Sequence, residues 1–305
     1  IDATSTLTSG GKTFGNFIYN KTGGTLTLAD AMACSGSYTN TAGALAGNFA
    51  VVLTGAAPTI TPTAALSFYD LTRTGTAAKT DTLTLTGDIT VTHNFTVTSN
   101  SAINRVLVAS DTIGTARTIT VNGTVSVTNA DFRDIVGAGT ASWDISAGNN
   151  GGGTLSGCSG ITFTTPATQY WYKAAASSEL WSTVGNWYLG TGGTGGAGRV
   201  PLLQDTARFD AASFPGAGQY TVTQDMPRIG GVDWTGATNV LPPIFTTSTA
   251  ASQFGSSTFI SAMVLTASAQ TYTWEGRGSY TITSAGLSRA KSFVLAAPGG
   301  TLTLL

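Results

Sequence analysis

Cleaving a glycosidic bond needs two carboxyl groups, one to protonate the leaving oxygen and one to activate water or attack directly. The chain offers few pairs. Asp131 and Asp134 in "ADFRDI" flank Arg133; in an extended segment Asp131 and Arg133 share one face and Asp134 takes the other. They are the acid candidates if the chain is enzymatic, although a capped turn and a surface ion pair account for them better. Asp205 and Asp210 in "QDTARFD" carry oxygens suited to calcium, but no loop of alternating Asp, Asn and Gly surrounds them, so they read as a structural turn. Glu179 and Glu275 are the only glutamates, and Glu275 in "TWEGRGSY" has Arg277 nearby as a local partner.

His93 is the sole histidine, which excludes a multi-histidine metal site and weakens any triad. Its odd position between Val91 and Phe95 predicts a core or groove histidine bonded to backbone. No serine sits in a nucleophile-elbow setting, and the glycines of "GGGTLSGCSG" (151–160) suit a tight corner. The run "GTGGTGGAG" (190–198) lacks the Lys-Ser/Thr of a phosphate loop and reads as a mobile loop. Cys34 and Cys158 are too few and too far apart for a disulfide framework or a zinc site. They are expected to be small buried fillers, with a single bridge as the alternative. Trp187, Tyr188 and Trp234 are the candidates for stacking on sugar rings, with core packing as the competing role. No catalytic, metal or cofactor residue is assigned.

The elements that must carry these residues are strands. In "TLTLTGDITVTHNFTVTS" (82–99) Leu83, Leu85, Ile89, Val91, Phe95 and Val97 alternate with polar neighbours, and Ile119, Val121, Val125 and Val127 continue the parity. Only 10% of residues are charged and 41% are hydrophobic. Threonine-rich, helix-poor composition of this kind favours an all-β chain whose polar face is hydroxyl and not ionic. A net charge of −1 provides no basic stripe, so neither nucleic acid nor anionic lipid is expected as a partner. No apolar stretch reaches the roughly 20 residues that span a bilayer.

Short strands punctuated by Gly, Asn, Asp or Ser fit a sandwich, barrel or solenoid. Recurrent phrases ("TLTLTG", "TITVNG", "YTITSAG", "TLTL") favour a parallel β-helix, or β-solenoid, with rungs of about 20 to 30 residues. An antiparallel β-sandwich is the alternative. Three portions are expected: residues 1–166 as a first solenoid portion, 167–204 as a Trp/Tyr/Gly-rich linking or capping segment, and 205–305 as a second β portion. The phrase "FIYNKTGGTLTLA" (17–29) returns as "FVLAAPGGTLTLL" (293–305), an offset of 276 (293 − 17). This echo, with a start at Ile1 and a stop inside a strand-like phrase, leads us to expect an excerpt of tandem units near 276 residues.

"NRVLVASDTIGTARTITVNGTVSVTNADFRDI" (104–135), "ITFTTPATQYW" and "WSTVGNWYLGTGG…RVPLLQDTARFDAASF" resemble tandem β-solenoid modules in fibre-like or adhesin-like virion proteins of tailed bacteriophages. The "NW…P…DTA.FD" portion is also similar to β-helix repeats of bacterial adhesins and autotransporter passengers. The resemblance implies a non-enzymatic structural segment on a virion or extracellular surface. Its partners would be further copies of the repeat or other fibre subunits, with host-surface glycans as a further contact. A secreted bacterial adhesin is the first rival reading and a glycan-cleaving tailspike the second.

Overall fold

The computed structural model describes residues 4–62, 66–266, 270–288 and 293–305. The chain divides into two compact units, Ile1–Thr164 and Thr165–Leu305. Each is a parallel β-solenoid. Among the described residues the first has sheets of seven, four and six strands and the second has sheets of seven, four and four. Among the described residues every strand pairing is parallel except that of Thr168–Trp171 with Trp187–Tyr188. The sandwich alternative therefore fails, because a sandwich pairs its strands antiparallel.

One turn of the first unit shows how the sequence builds a rung. Thr82–Leu85, Ile89–Val91 and Asn94–Thr98 lie on three successive faces. Alternation puts the Leu, Ile, Val and Phe side chains inside, and the six apolar residues predicted inward in 82–99 are all buried. The next turn repeats the sequence of faces, so Thr82 lies beside Leu107 (107 − 82 = 25 positions later) and Phe95 beside Val125. Parallel register then places like on like from rung to rung. One interior column runs Met32, Val51, Leu71, Phe95, Val125; another runs Phe17, Tyr38, Ile60, Leu85.

Arg73 interrupts an otherwise apolar column between Leu53 and Val97 and is fully buried. Its guanidinium donates to the carbonyls of Leu53, Thr74 and Thr82 and to the carboxylate of Asp81, itself buried. Burial pulls its pKa down, and Asp81 opposes that fall. A charge inside a column is tolerated only when its donors are matched in this way. Cys34 and Cys158 are both buried and both free, so no bridge joins them. Burial pushes the Cys34 thiol up to about 11 and raises that of Cys158 as well. Both thiols are therefore protonated at neutral pH.

The echo acquires a geometry. Phe17–Leu28 shifts register along its length, with Phe17 to Tyr19 beside Tyr38 to Asn40 and Thr25 to Thr27 beside Ala44 to Ala46. Gly23 between these halves has φ +70°, and at the other end of the chain Gly299, with φ +73°, separates Phe293–Leu295 from Thr301–Leu304. Both copies thus place a glycine in the left-handed region, inside one irregular strand in the first and between two strands in the second.

In the second unit Thr168 lies beside Thr206 (206 − 168 = 38 positions later), whereas Thr206 lies beside Gly231 only 25 positions on. The longer turn contains the Trp/Tyr/Gly-rich stretch. Trp171, Trp181 and Trp187 point into the core beside Phe209, where Trp234 stacks on Phe209 at 4.0 Å between centroids. The stretch is an expanded rung of the second unit. At the end of its Gly-rich run, Gly198 N donates to the Trp187 carbonyl at 2.8 Å and Arg199 N to the Gln169 side chain at 3.0 Å. Positive φ at Gly192, Gly193, Gly195 and Gly196 explains the composition of the run.

Inward and outward residues of one strand should separate cleanly in stability. Phe95→Ala is expected to cost about 3–5 kcal/mol by leaving a cavity in its column, while Thr98→Ala on the outer face stays within about 0.5 kcal/mol. Urea unfolding of the first unit followed by circular dichroism measures both.

Candidate functional site

Asp131 and Asp134 do not form a solvent-facing acid pair. Both are buried. Arg105 reaches Asp131 Oδ1 with Nε at 3.0 Å and Nη2 at 2.7 Å, and its Nη2 also donates to the Ala130 carbonyl. Asp134 takes a left-handed conformation, φ +53°, and accepts from Gly114 N at 3.0 Å, with Arg133 Nε at 3.9 Å. The expected surface ion pair is thus a buried one that joins two rungs through Arg105, a partner 26 positions away (131 − 105) that local spacing did not suggest.

Asp205 is also buried and fully engaged. Arg199 grips it with Nε on Oδ2 at 2.8 Å and Nη2 on Oδ1 at 2.7 Å, while Ala167 N and Leu202 N donate at 2.8 and 2.9 Å. These four donors hold the carboxylate that a calcium ion would need. Asp210 closes a turn, accepting from Ala212 N at 2.9 Å. No cluster of three or more metal-ligating side chains occurs among the described residues. Glu179 pairs with Lys173 at 2.6 Å, and that bond above all holds its carboxyl below the usual range. Glu275 accepts from Ser252 Oγ at 2.6 Å, and Arg277 donates to the Glu275 main-chain carbonyl.

His93 contradicts its predicted inward place. It lies in the corner between Ile89–Val91 and Asn94–Thr98, with its side chain about half exposed. Its Nδ1 meets Asp70 Oδ1 at 2.9 Å and its ring stacks on Tyr69 at 4.7 Å. Thr92 and His93 form the corner, where alternation no longer assigns a face.

Trp187 and Trp234 are closed to sugars, since their exposures are 1% and 0%. Trp187 Nε1 donates to the Trp181 carbonyl at 2.7 Å, which fixes its indole within the core. Tyr188 is half-buried and packs edge-on against Tyr172 at 5.9 Å.

The second unit does carry an open cleft, of about 410 Å³, lined by Thr168, Tyr170, Thr191, Thr206, Arg208, Asp210 and Asp233. Three parallel strands build it. Tyr170, Arg208 and Asp233 are register partners in one outward row, and Thr168 and Thr206 form the neighbouring row. Thr191 comes from the Gly-rich loop of the expanded rung, so that rung supplies a wall as well as core. Arg208 Nη1 bonds Asp233 Oδ2, and Asp233 Oδ1 caps Thr235 N at 2.8 Å. Among the described residues no protein acceptor meets the other Arg208 N–H groups and no donor meets Asp210 Oδ2. The alternation of "TARFD" already places Thr206, Arg208 and Asp210 on one face; the partners 38 positions before and 25 after depend on rung length, which local pattern does not set.

No family model, curated protein or solved structure matches the chain.

The roles of the two aspartates of "QDTARFD" can be separated. Asp205→Ala should cost about 3–5 kcal/mol, the loss expected when one partner of a buried pair is removed. Addition of calcium or of EDTA should leave the wild-type melting curve unchanged. A calcium-dependent rise in melting temperature would restore the metal-site reading.

Proposed function

We propose that the chain is a structural length of a fibre-like appendage on a bacteriophage virion, serving spacing and display. The observation that carries this reading is the outer face of the first unit. Thr72, Thr96 and Ser126 form one register row and Thr74, Thr98 and Thr128 the next. Such rows extend by adding rungs and place hydroxyls in water without charge. The buried carboxylates Asp81, Asp131 and Asp205 each bond an arginine, so their chemistry serves the fold. The sequence resemblance to tailed-phage fibre modules agrees with a role of this kind, as an argument by analogy.

Antibodies raised against the purified chain, applied in immunogold electron microscopy to particles from its source, should label thin projections of virions. Label confined to the surface of uninfected bacteria would make the chain a secreted adhesin. Release of new reducing ends from purified surface polysaccharide would make it a glycan-cleaving protein.

A further inference from the structure

The cleft of the second unit carries one inter-rung ion pair, Arg208–Asp233, and its mixed aromatic, charged and hydroxyl lining is a different kind of surface from the hydroxyl rows elsewhere. We propose that it is a saccharide-binding site that takes one uncharged sugar unit of a longer glycan. The proposal goes beyond the structural role above and does not depend on it.

Four features support this assignment. Tyr170 is partly exposed and, unlike Tyr172 and Tyr188, has no aromatic ring partner among the described residues. Its ring is therefore available to the apolar face of a pyranose. The remaining Arg208 N–H groups, the Asp210 Oδ2 oxygen and the hydroxyls of Thr168, Thr191 and Thr206 supply donors and acceptors within one lining, the mixture that sugar hydroxyls require. The volume of about 410 Å³ lies within the range of roughly 300–1,000 Å³ typical of small-ligand clefts. Two carboxylates against one guanidinium leave the lining with a formal charge of −1, which disfavours carboxylated or sulfated sugars. The site is open to solvent, so it need not enclose the whole glycan.

A glycan array probed with the fluorescently labelled chain, printed with neutral, amino and acidic oligosaccharides, tests the assignment. Binding to neutral glycans is expected, with affinity falling at least about tenfold in Tyr170→Ala, the equivalent of losing a stacking contact. Tyr170→Phe keeps the ring and should retain binding, and Asp210→Asn, which brings the lining to formal neutrality, should weaken binding to neutral glycans and relax the discrimination against acidic ones. A melting curve matching the wild type certifies each variant as folded. If Tyr170→Ala does not fold, Thr206→Tyr fills the cleft from its floor and takes its place. Failure to bind any neutral glycan, binding confined to acidic ones, or binding undiminished by Tyr170→Ala and Thr206→Tyr would overturn the proposal.

Discussion

Parallel, in-register stacking of one rung on the next is the constraint on which the rest of this molecule depends. Once Thr82 stands beside Leu107 and Phe95 beside Val125, every side chain inherits neighbours from the turns above and below. Inward positions become columns, in which apolar side chains stack and a buried charge is costly unless its polar groups are matched. Outward positions become rows whose only obligation is to remain compatible with water. That division explains why so few charges suffice: the polar face is made of Thr and Ser hydroxyls, and the interior of Leu, Ile, Val, Phe and, in the second unit, Trp.

The charged residues that do enter the interior obey the same geometry. Arg73 with Asp81, Arg105 with Asp131 and Arg199 with Asp205 each place a guanidinium against a buried carboxylate, and each arginine also donates to main-chain carbonyls. The accepting carbonyls include those of the strand-end residues Leu53, Thr74 and Thr82, which these bonds help to satisfy. The residues with the best apparent chemistry in the sequence are thereby bound into the fold. The cleft forms where an expanded rung departs from the regular pitch and brings a loop against an outward row.

Much of the fold was legible because alternation and recurrence are local. The parity of residues 82–99 identified the buried apolar face, with Leu83, Leu85, Ile89, Val91, Phe95 and Val97 all inside. What was not legible depends on rung length and corner length. His93 follows the parity of its neighbours yet stands in a corner and faces out. Trp187 and Trp234 were candidates for surface stacking because size and aromaticity do not reveal orientation. Tyr170, Arg208 and Asp233 meet only because one rung is 38 residues long and the next 25. The Trp-rich segment belongs to the second unit, where Trp187–Tyr188 pairs antiparallel with Thr168–Trp171 at the end of its sheet.

Register is therefore the claim to test, and electron paramagnetic resonance of paired spin labels tests it directly. Thr98 and Thr128 face outward on adjacent rungs, about 5 Å apart by the spacing of paired strands, whereas Thr98 and Thr120 lie on different sheets. In a chain with both native cysteines replaced by alanine, labels at 98 and 128 should show strong spin–spin broadening and labels at 98 and 120 a much sharper spectrum. A sharp spectrum from the 98 and 128 pair would contradict parallel in-register stacking and the account built on it.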